Sequence, residues 1–260
     1  MRLITTLLAT LLSAAALAGH HEESQKSAPL VMEIFECDLN KGVPMEDLLE
    51  FGREDFASLF SDANLDMSGF VWEPMSIAPP YEQTGFRWVN YYPSWGSYQA
   101  ADDLWASNKA ANVRKDSEKL STCKMPIFMH AHMVVQTEKP LTMVGKNGNR
   151  LLIGRCNINE SATLNDVKEF NSEALSKATR SAAGSDRGQF LAMPPRIGID
   201  PDFDFLNILF GTPSEIAKLL DGARTGKIPA ARKAFTDTPD PSSCDTWDLH
   251  RSHRVFVSES

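Results

Sequence analysis

From residue 31 onward, hydrophobic positions switch between two periods, and each switch marks an element. Val31 to Leu39 reads as an apolar strand, followed by the turn-prone Asn40-Lys41-Gly42. Pro44 suits the first residue of a helix. Met45, Leu48, Leu49, Phe56 and Leu59 then recur at helical spacing and predict one buried stripe. Phe70 to Ile77 and Phe86 to Tyr92 read as strands parted by a loop containing Pro79-Pro80. A helix over Ser97 to Ala111 and a strand over Ile127 to Gln136 complete the series. The same series then returns. Leu151 to Ile158 is a strand, and Thr163 caps a helix carrying Leu164, Val167, Phe170 and Leu175. Gln189 to Met193 and Phe203 to Phe210 are strands, and Thr212-Pro213-Ser214-Glu215 reads as a capping box with Pro at the first helical position. Asp248 to Val257 is the last strand.

Residue matches support the repetition. Cys37-Asp-Leu-Asn40 aligns with Cys156-Asn-Ile-Asn159, and without a gap Asp47, Glu50 and Phe51 meet Asp166, Glu169 and Phe170. With slightly changed offsets, Phe70 to Pro74 meets Phe190 to Pro194, and Phe86-Arg-Trp88-Val-Asn90 meets Phe203-Asp-Phe205-Leu-Asn207. Cys123 and His132 share the spacing of Cys244 and His253. The chain therefore divides into a first copy over 28–138, a turn-rich connector over 139–149 with Gly145 and Gly148, and a second copy over 150–258. A βαββαβ order with right-handed crossovers predicts a ferredoxin-like α+β sheet in each copy, strand order 4-1-3-2.

The remaining N-terminal residues have another character. Arg2, the apolar run Leu3 to Leu17 and Ala16-Leu17-Ala18 form the pattern of a signal peptide over 1–18, and 19–27 is a polar leader expected to be disordered. Periplasmic or secreted placement follows, with no membrane association after cleavage. In an oxidising compartment, Cys37, Cys123, Cys156 and Cys244 read as disulfides. In the 4-1-3-2 sheet the last strand runs antiparallel beside the first, which selects Cys37–Cys123 and Cys156–Cys244. Each bridge closes a loop of roughly 90 residues, worth about 4–5 kcal/mol on chain entropy. Composition is ordinary at 42% hydrophobic and 23% charged. A net charge of -8 and the absence of a basic stripe argue against a nucleic-acid partner.

With this element order and duplication, the chain over about 28–258 resembles the dimeric α+β barrel superfamily, which includes antibiotic-biosynthesis monooxygenases, NIPSNAP-type proteins and stress-responsive barrel proteins. The resemblance implies two ferredoxin-like units packed sheet to sheet with helices outside, fused here into a single-chain pseudodimer that runs as a monomer. Members range from cofactor-free oxygenases and haem proteins to isomerases, and fold does not choose among them. It brings no signature motif and hence no catalytic residue.

Candidate chemistry concentrates in the first copy. Trp72, Trp88, Trp95, Trp105 and all four tyrosines (Tyr81, Tyr91, Tyr92 and Tyr98) lie there, against Trp247 alone in the second. These rings line a small-molecule pocket or fill a larger core. Trp88, Asn90 and Tyr92 alternate onto one strand face, and Asn90 is matched to Asn207. His130 and His132 also share a face, with His132 matched to His253. His132 as a general base and Asn90 as a hydrogen-bond donor to substrate form one reading, and Trp72, Trp88, Tyr92 and His130 would contact ligand. Residues present in both copies that merely tie strands together form the other.

Metal or haem binding through His132 or His253 is a further alternative. After cleavage, Gly19-His20-His21 would offer a square-planar copper site, set against a plain solvated leader. Asn159-Glu160-Ser161 matches a glycosylation pattern. The expectation is an exported barrel that binds a small apolar or aromatic ligand and needs no cofactor, with cofactor-independent catalysis open. A non-catalytic structural or interaction protein is the competing class.

Overall fold

A computed structural model describes residues 28–77, 85–137, 148–194 and 202–258. The expected signal peptide and leader, His20, His21, Tyr81, Pro79-Pro80 and the connector through residue 147 lie outside them.

The first copy runs β1 (Leu30–Leu39), α1 (Met45–Phe51), a π-helical turn (Gly52–Phe56), α2 (Ala57–Asp62), β2 (Ser68–Ser76), β3 (Phe86–Tyr92), α3 (Trp95–Ala106), α4 (Ala111–Leu120), β4 (Ser121–Cys123) and β5 (Ile127–Val135). The second runs β6 (Asn149–Ile158), α5 (Leu164–Glu169), a π-helical turn (Phe170–Leu175), α6 (Ser176–Ala183), β7 (Gly188–Met193), β8 (Phe205–Gly211), α7 (Pro213–Arg224), α8 (Lys227–Arg232) and β9 (Ser242–Val257). Pro44 stands one position earlier than expected, as N-cap rather than first helical residue. The expected helix over Ser97 to Ala111 starts instead at Trp95, capped by the Ser94 hydroxyl, and continues after a break as α4. Thr163 forms a reciprocal capping box with Asp166. The box expected at Thr212 is only half made: Thr212 accepts from the Glu215 amide, while the Glu215 carboxylate accepts from the Asp186 amide across the fold.

All strand pairs are antiparallel, in the orders β5-β1-β3-β2 and β9-β6-β8-β7. These are the 4-1-3-2 orders expected of ferredoxin-like units. The two sheets also join edge to edge, β2 with β9 and β5 with β7, so that eight strands close into one barrel. Closure removes every long sheet edge. Inside the barrel Met32, Ile34, Val89 and Met129 pack with Leu151, Ile153, Leu206 and Ile208. Burial of each such side chain is worth about 1.5–3 kcal/mol, and half of this core comes from each copy. Helices cover the outside.

Cys37 is bonded to Cys123 and Cys156 to Cys244, each pair directly opposed in register with Cα atoms 4.0 Å apart. In the second copy one continuous strand, β9, carries both the cysteine and the barrel pairing. In the first, the cysteine sits on the separate three-residue β4.

Register corrects one match made from sequence. Cys37 lies opposite Phe86, and Cys156 lies opposite Phe205, so these phenylalanines are equivalent. Trp88 therefore corresponds to Asn207, and Asn90 to Leu209. The resemblance of Phe86–Asn90 to Phe203–Asn207 is a slip of two residues, which the strand period of two hides by keeping every side chain on its face. His132 and His253 do correspond, following Ala131 opposite Leu30 and Ser252 opposite Asn149.

Candidate functional site

Alternate residues of β1 and β3 point away from the barrel interior, toward the helices: Glu33 and Phe35 from one strand, Trp88, Asn90 and Tyr92 from the other. Between them and α1–α4 lies a cavity of ≈ 410 Å³. Aromatic rings form most of its wall. Phe56 meets the edge of Trp88 at 4.9 Å between centroids, and Phe60 stacks on Trp105 at 6.4 Å. Two glycines let the π-helical turn and β2 pack closely against Val255, beside Trp88 and Asn90. A Cβ on Gly52, at the start of the π-helical turn, would lie 2.8 Å from Val255 Cγ1 and 3.1 Å from Trp88 Cη2. One on Gly69 would lie 3.2 Å from Val255 and 3.5 Å from Asn90 Oδ1.

A chain of hydrogen bonds crosses the floor. Trp88 Nε1 donates to Asn90 Oδ1 at 3.0 Å, and Asn90 Nδ2 donates to Glu33 Oε2 at 2.9 Å. Tyr92 donates its hydroxyl to the same oxygen at 2.8 Å. Glu33 is only 6% exposed, and its other oxygen, Oε1, accepts no hydrogen bond among the described residues. Burial raises the Glu33 pKa above the usual carboxylate range, against the opposing pull of its two hydrogen bonds. Burial and the adjacent Glu33 also raise the Tyr92 phenol. Toward solvent, Asp102, Arg114 and Glu118 complete the wall. The Arg114 guanidinium donates to the carbonyls of Trp105 and Ser107, pinning the break between α3 and α4.

The expected site residues divide. Trp88, Asn90 and Tyr92 line the cavity. Trp72 does not: it points into the barrel, edge-on to His250. Trp72 therefore does not share this cavity with Trp88, because neighbouring strand positions fix which face a side chain takes. His130 accepts from Trp95 Nε1 at 3.1 Å, outside the cavity wall. His132 faces the second copy, 3.1 Å from Lys168 Nζ, and burial with that ammonium lowers its pKa to about 4. His253 lies 3.1 Å from Glu73 Oε2 at the β2–β9 seam. His132 does not line the cavity that holds Asn90, and its ring lies against the second copy's helix instead.

No histidine lines the cavity, and Cys123 there is bonded to Cys37. The wall accordingly offers neither imidazole nor thiolate as an axial ligand, so these residues do not fit a haem held in the way His132 or His253 was expected to hold it. Among the described residues, no three His, Cys, Asp or Glu side chains cluster as a metal site.

Glu33 escaped the sequence reading. A signal was present: it is the one acidic residue in Val31-Met32-Glu33-Ile34-Phe35, on the same strand face as Val31, Phe35 and Cys37.

The second copy builds the corresponding space differently. Glu33 is replaced by Leu152, Asn90 by Leu209 and Trp88 by Asn207. Gly69 is replaced by Gln189, as their partners Asn90 and Leu209 require, and Gly52 by Asn171. Gln189 donates to both Asn171 Oδ1 and Asn207 Oδ1 at 2.7 Å and accepts from Arg187 at 2.8 Å. All four side chains are buried.

No family model matches the chain, and no curated protein matches it. Solved structures do. A protein provisionally named as a chlorite dismutase is 12% identical at a TM-score of 0.51, covering 87% of this chain and 96% of its own. A protein provisionally named as a monooxygenase from Fusobacterium nucleatum is 9% identical at 0.51, covering 89% and 94%. At such identity the likeness is one of fold: a single-chain barrel of duplicated ferredoxin-like units.

Proposed function

We propose that this single-chain α+β barrel is an exported binding protein for a small, largely apolar molecule lodged in the first-copy cavity. One observation carries the reading: an aromatic-walled space of ≈ 410 Å³ is lined by a buried carboxylate, one oxygen of which accepts no hydrogen bond from the described residues. Mostly apolar walls with a few placed polar groups are the usual make-up of small-molecule sites. Export is supported by the pattern at 1–18 and by two disulfides, which persist in oxidising compartments. Because the copies already cover each other's sheet edges, the chain works as a monomer. A second reading, cofactor-independent catalysis, is favoured by the raised pKa of Glu33, which suits a general base better than the distant His132 does.

The test is exchange of the second copy's residues into the first. An uncharged aromatic dye should quench tryptophan emission in the native protein. The triple variant Glu33→Leu, Trp88→Asn, Asn90→Leu, which places the second copy's residues on the cavity wall, should still melt cooperatively but lose dye binding, read by displacement or calorimetry. Unchanged affinity in a folded triple variant would place the ligand elsewhere and end this reading. Mass spectrometry of molecules co-purified from the native host would name the ligand.

A further inference from the structure

We propose that the ligand of this cavity is an organic cation, an ammonium group carried on an apolar body, with its charge set between Glu33 Oε1 and the aromatic wall. The assignment rests on the small-molecule reading above and adds the chemical class. Three observations carry it. The first is the unequal use of the Glu33 carboxylate, which lines the cavity: Asn90 and Tyr92 both donate to Oε2, and no described residue donates to Oε1. A spare carboxylate oxygen on a residue only 6% exposed calls for a donor from the ligand, and a charged donor makes the stronger, shorter bond. The second is the ring set. Trp88, Tyr92, Tyr98 and Trp105 present π-systems to one space, and ring faces attract cations, more so when desolvated.

The third is charge. The ionisable side chains of the wall are Glu33 from β1, Tyr92 from β3, Tyr98 and Asp102 from α3, and Arg114 and Glu118 from α4. Arg114 is the one cation among them, and backbone carbonyls hold its guanidinium. Three carboxylates against one arginine favour a positive guest and repel an anionic one. Asp102 and Glu118 are exposed and would draw a cation toward the entrance. Without a guest, burial and the charge of Asp102 both raise the Glu33 pKa. An ammonium beside Oε1 opposes that shift, so binding should release a proton and strengthen as pH rises through the Glu33 ionisation.

The experiment compares 2-phenylethylamine with 2-phenylethanol on the full chain. The two probes are close in size and both donate hydrogen bonds, but only the amine is charged at pH 8. Affinity is read by tryptophan quenching and calorimetry. The amine should bind about tenfold or more tightly than the alcohol, as a paired buried charge would give. Glu33→Gln keeps an acceptor for Asn90 and Tyr92; it should erase that preference, bringing the two probes within about threefold of each other. The amine's affinity should fall on acidification, and the alcohol's should stay flat. Equal or tighter alcohol binding overturns the assignment, as does an amine preference that survives Glu33→Gln. Binding of an uncharged aromatic dye but neither probe also overturns it while leaving the small-molecule reading standing. Failure of the dye as well removes both.

Discussion

The two copies share strand order, a disulfide at the same place and a π-helical turn in the same helix, yet the first lines a cavity with Glu33, Trp88 and Asn90 where the second sets Leu152, Asn207 and Leu209. The difference lies in few positions. Gly52 and Gly69 leave the first copy without side chains where Asn171 and Gln189 fill the second, and Glu33, Trp88 and Asn90 stand where the second has Leu152, Asn207 and Leu209. In the second copy, Gln189 uses its hydrogen bonds on Asn171, Asn207 and Arg187, a closed set suited to holding strands and helix together. In the first, the chain from Trp88 through Asn90 ends on a carboxylate with an oxygen to spare. A scaffold can thus carry a site in one half and a brace in the other without changing its topology.

Separating the halves should have the largest effect. Residues 28–137 expressed alone would expose β2, β5 and half of the barrel core, so sedimentation should find dimers or aggregate, not a monomer. A well-behaved monomeric half would mean that the copies are independent.

The bridges come next. Cys123→Ser and Cys244→Ser open loops of similar length, with sequence separations of 86 and 88. Each should lower stability in denaturant titrations by about 2–5 kcal/mol. Only Cys123→Ser should also weaken ligand binding, because Cys123 lines the cavity. Equal effects on binding would detach the bridge from the site.

Smaller effects should separate Asn90 from Asn207. Asn90→Ala removes a donor from Glu33 and the acceptor for Trp88, and should weaken binding by about 1–3 kcal/mol in calorimetry. Asn207→Ala deprives Gln189 of one acceptor and should reduce stability by about 1–2 kcal/mol with binding unchanged.

The subtlest difference is in pH. The pKa of Glu33 is raised on folding, so the folded state holds its proton more tightly than the unfolded chain does. Stability from this group is complete below the unfolded value and declines as pH rises through it toward the folded value. Melting temperatures of Glu33→Gln should therefore gain on the native protein as pH rises above about 4.5. No such trend should follow Leu152→Gln.

Much of this architecture was legible because it is written in local periods. Apolar runs, helical stripes and two cysteine–histidine spacings sufficed for the strand order and the bridges. Trp88, Asn90 and Tyr92 were legible as one strand face. What could not be read were features that exist only across elements. A cavity exists only between elements, and Glu33, Trp88, Phe56 and Trp105 come to one space only after β1, β3 and the helices are packed. Asn90 looked equivalent to Asn207 because a two-residue slip preserves facing. Glu33 stands out in sequence as one carboxylate in an apolar strand, but its role emerges only when Asn90 and Tyr92 are placed beside it. His132 looked central because it repeats, and repetition turned out to mark a seam position.

Covalent fusion of the copies has a consequence for how such a protein can change. In a barrel assembled from two identical chains, any substitution that braces one half appears in both, and a residue that fills one hollow fills its twin. Here each position exists once. Gln189 could be introduced without touching Gly69, and Glu33 could be buried without placing a second unpaired carboxylate across the barrel. Joining the halves releases them from symmetry, so one can hold rigid while the other accepts the instability of an open hollow.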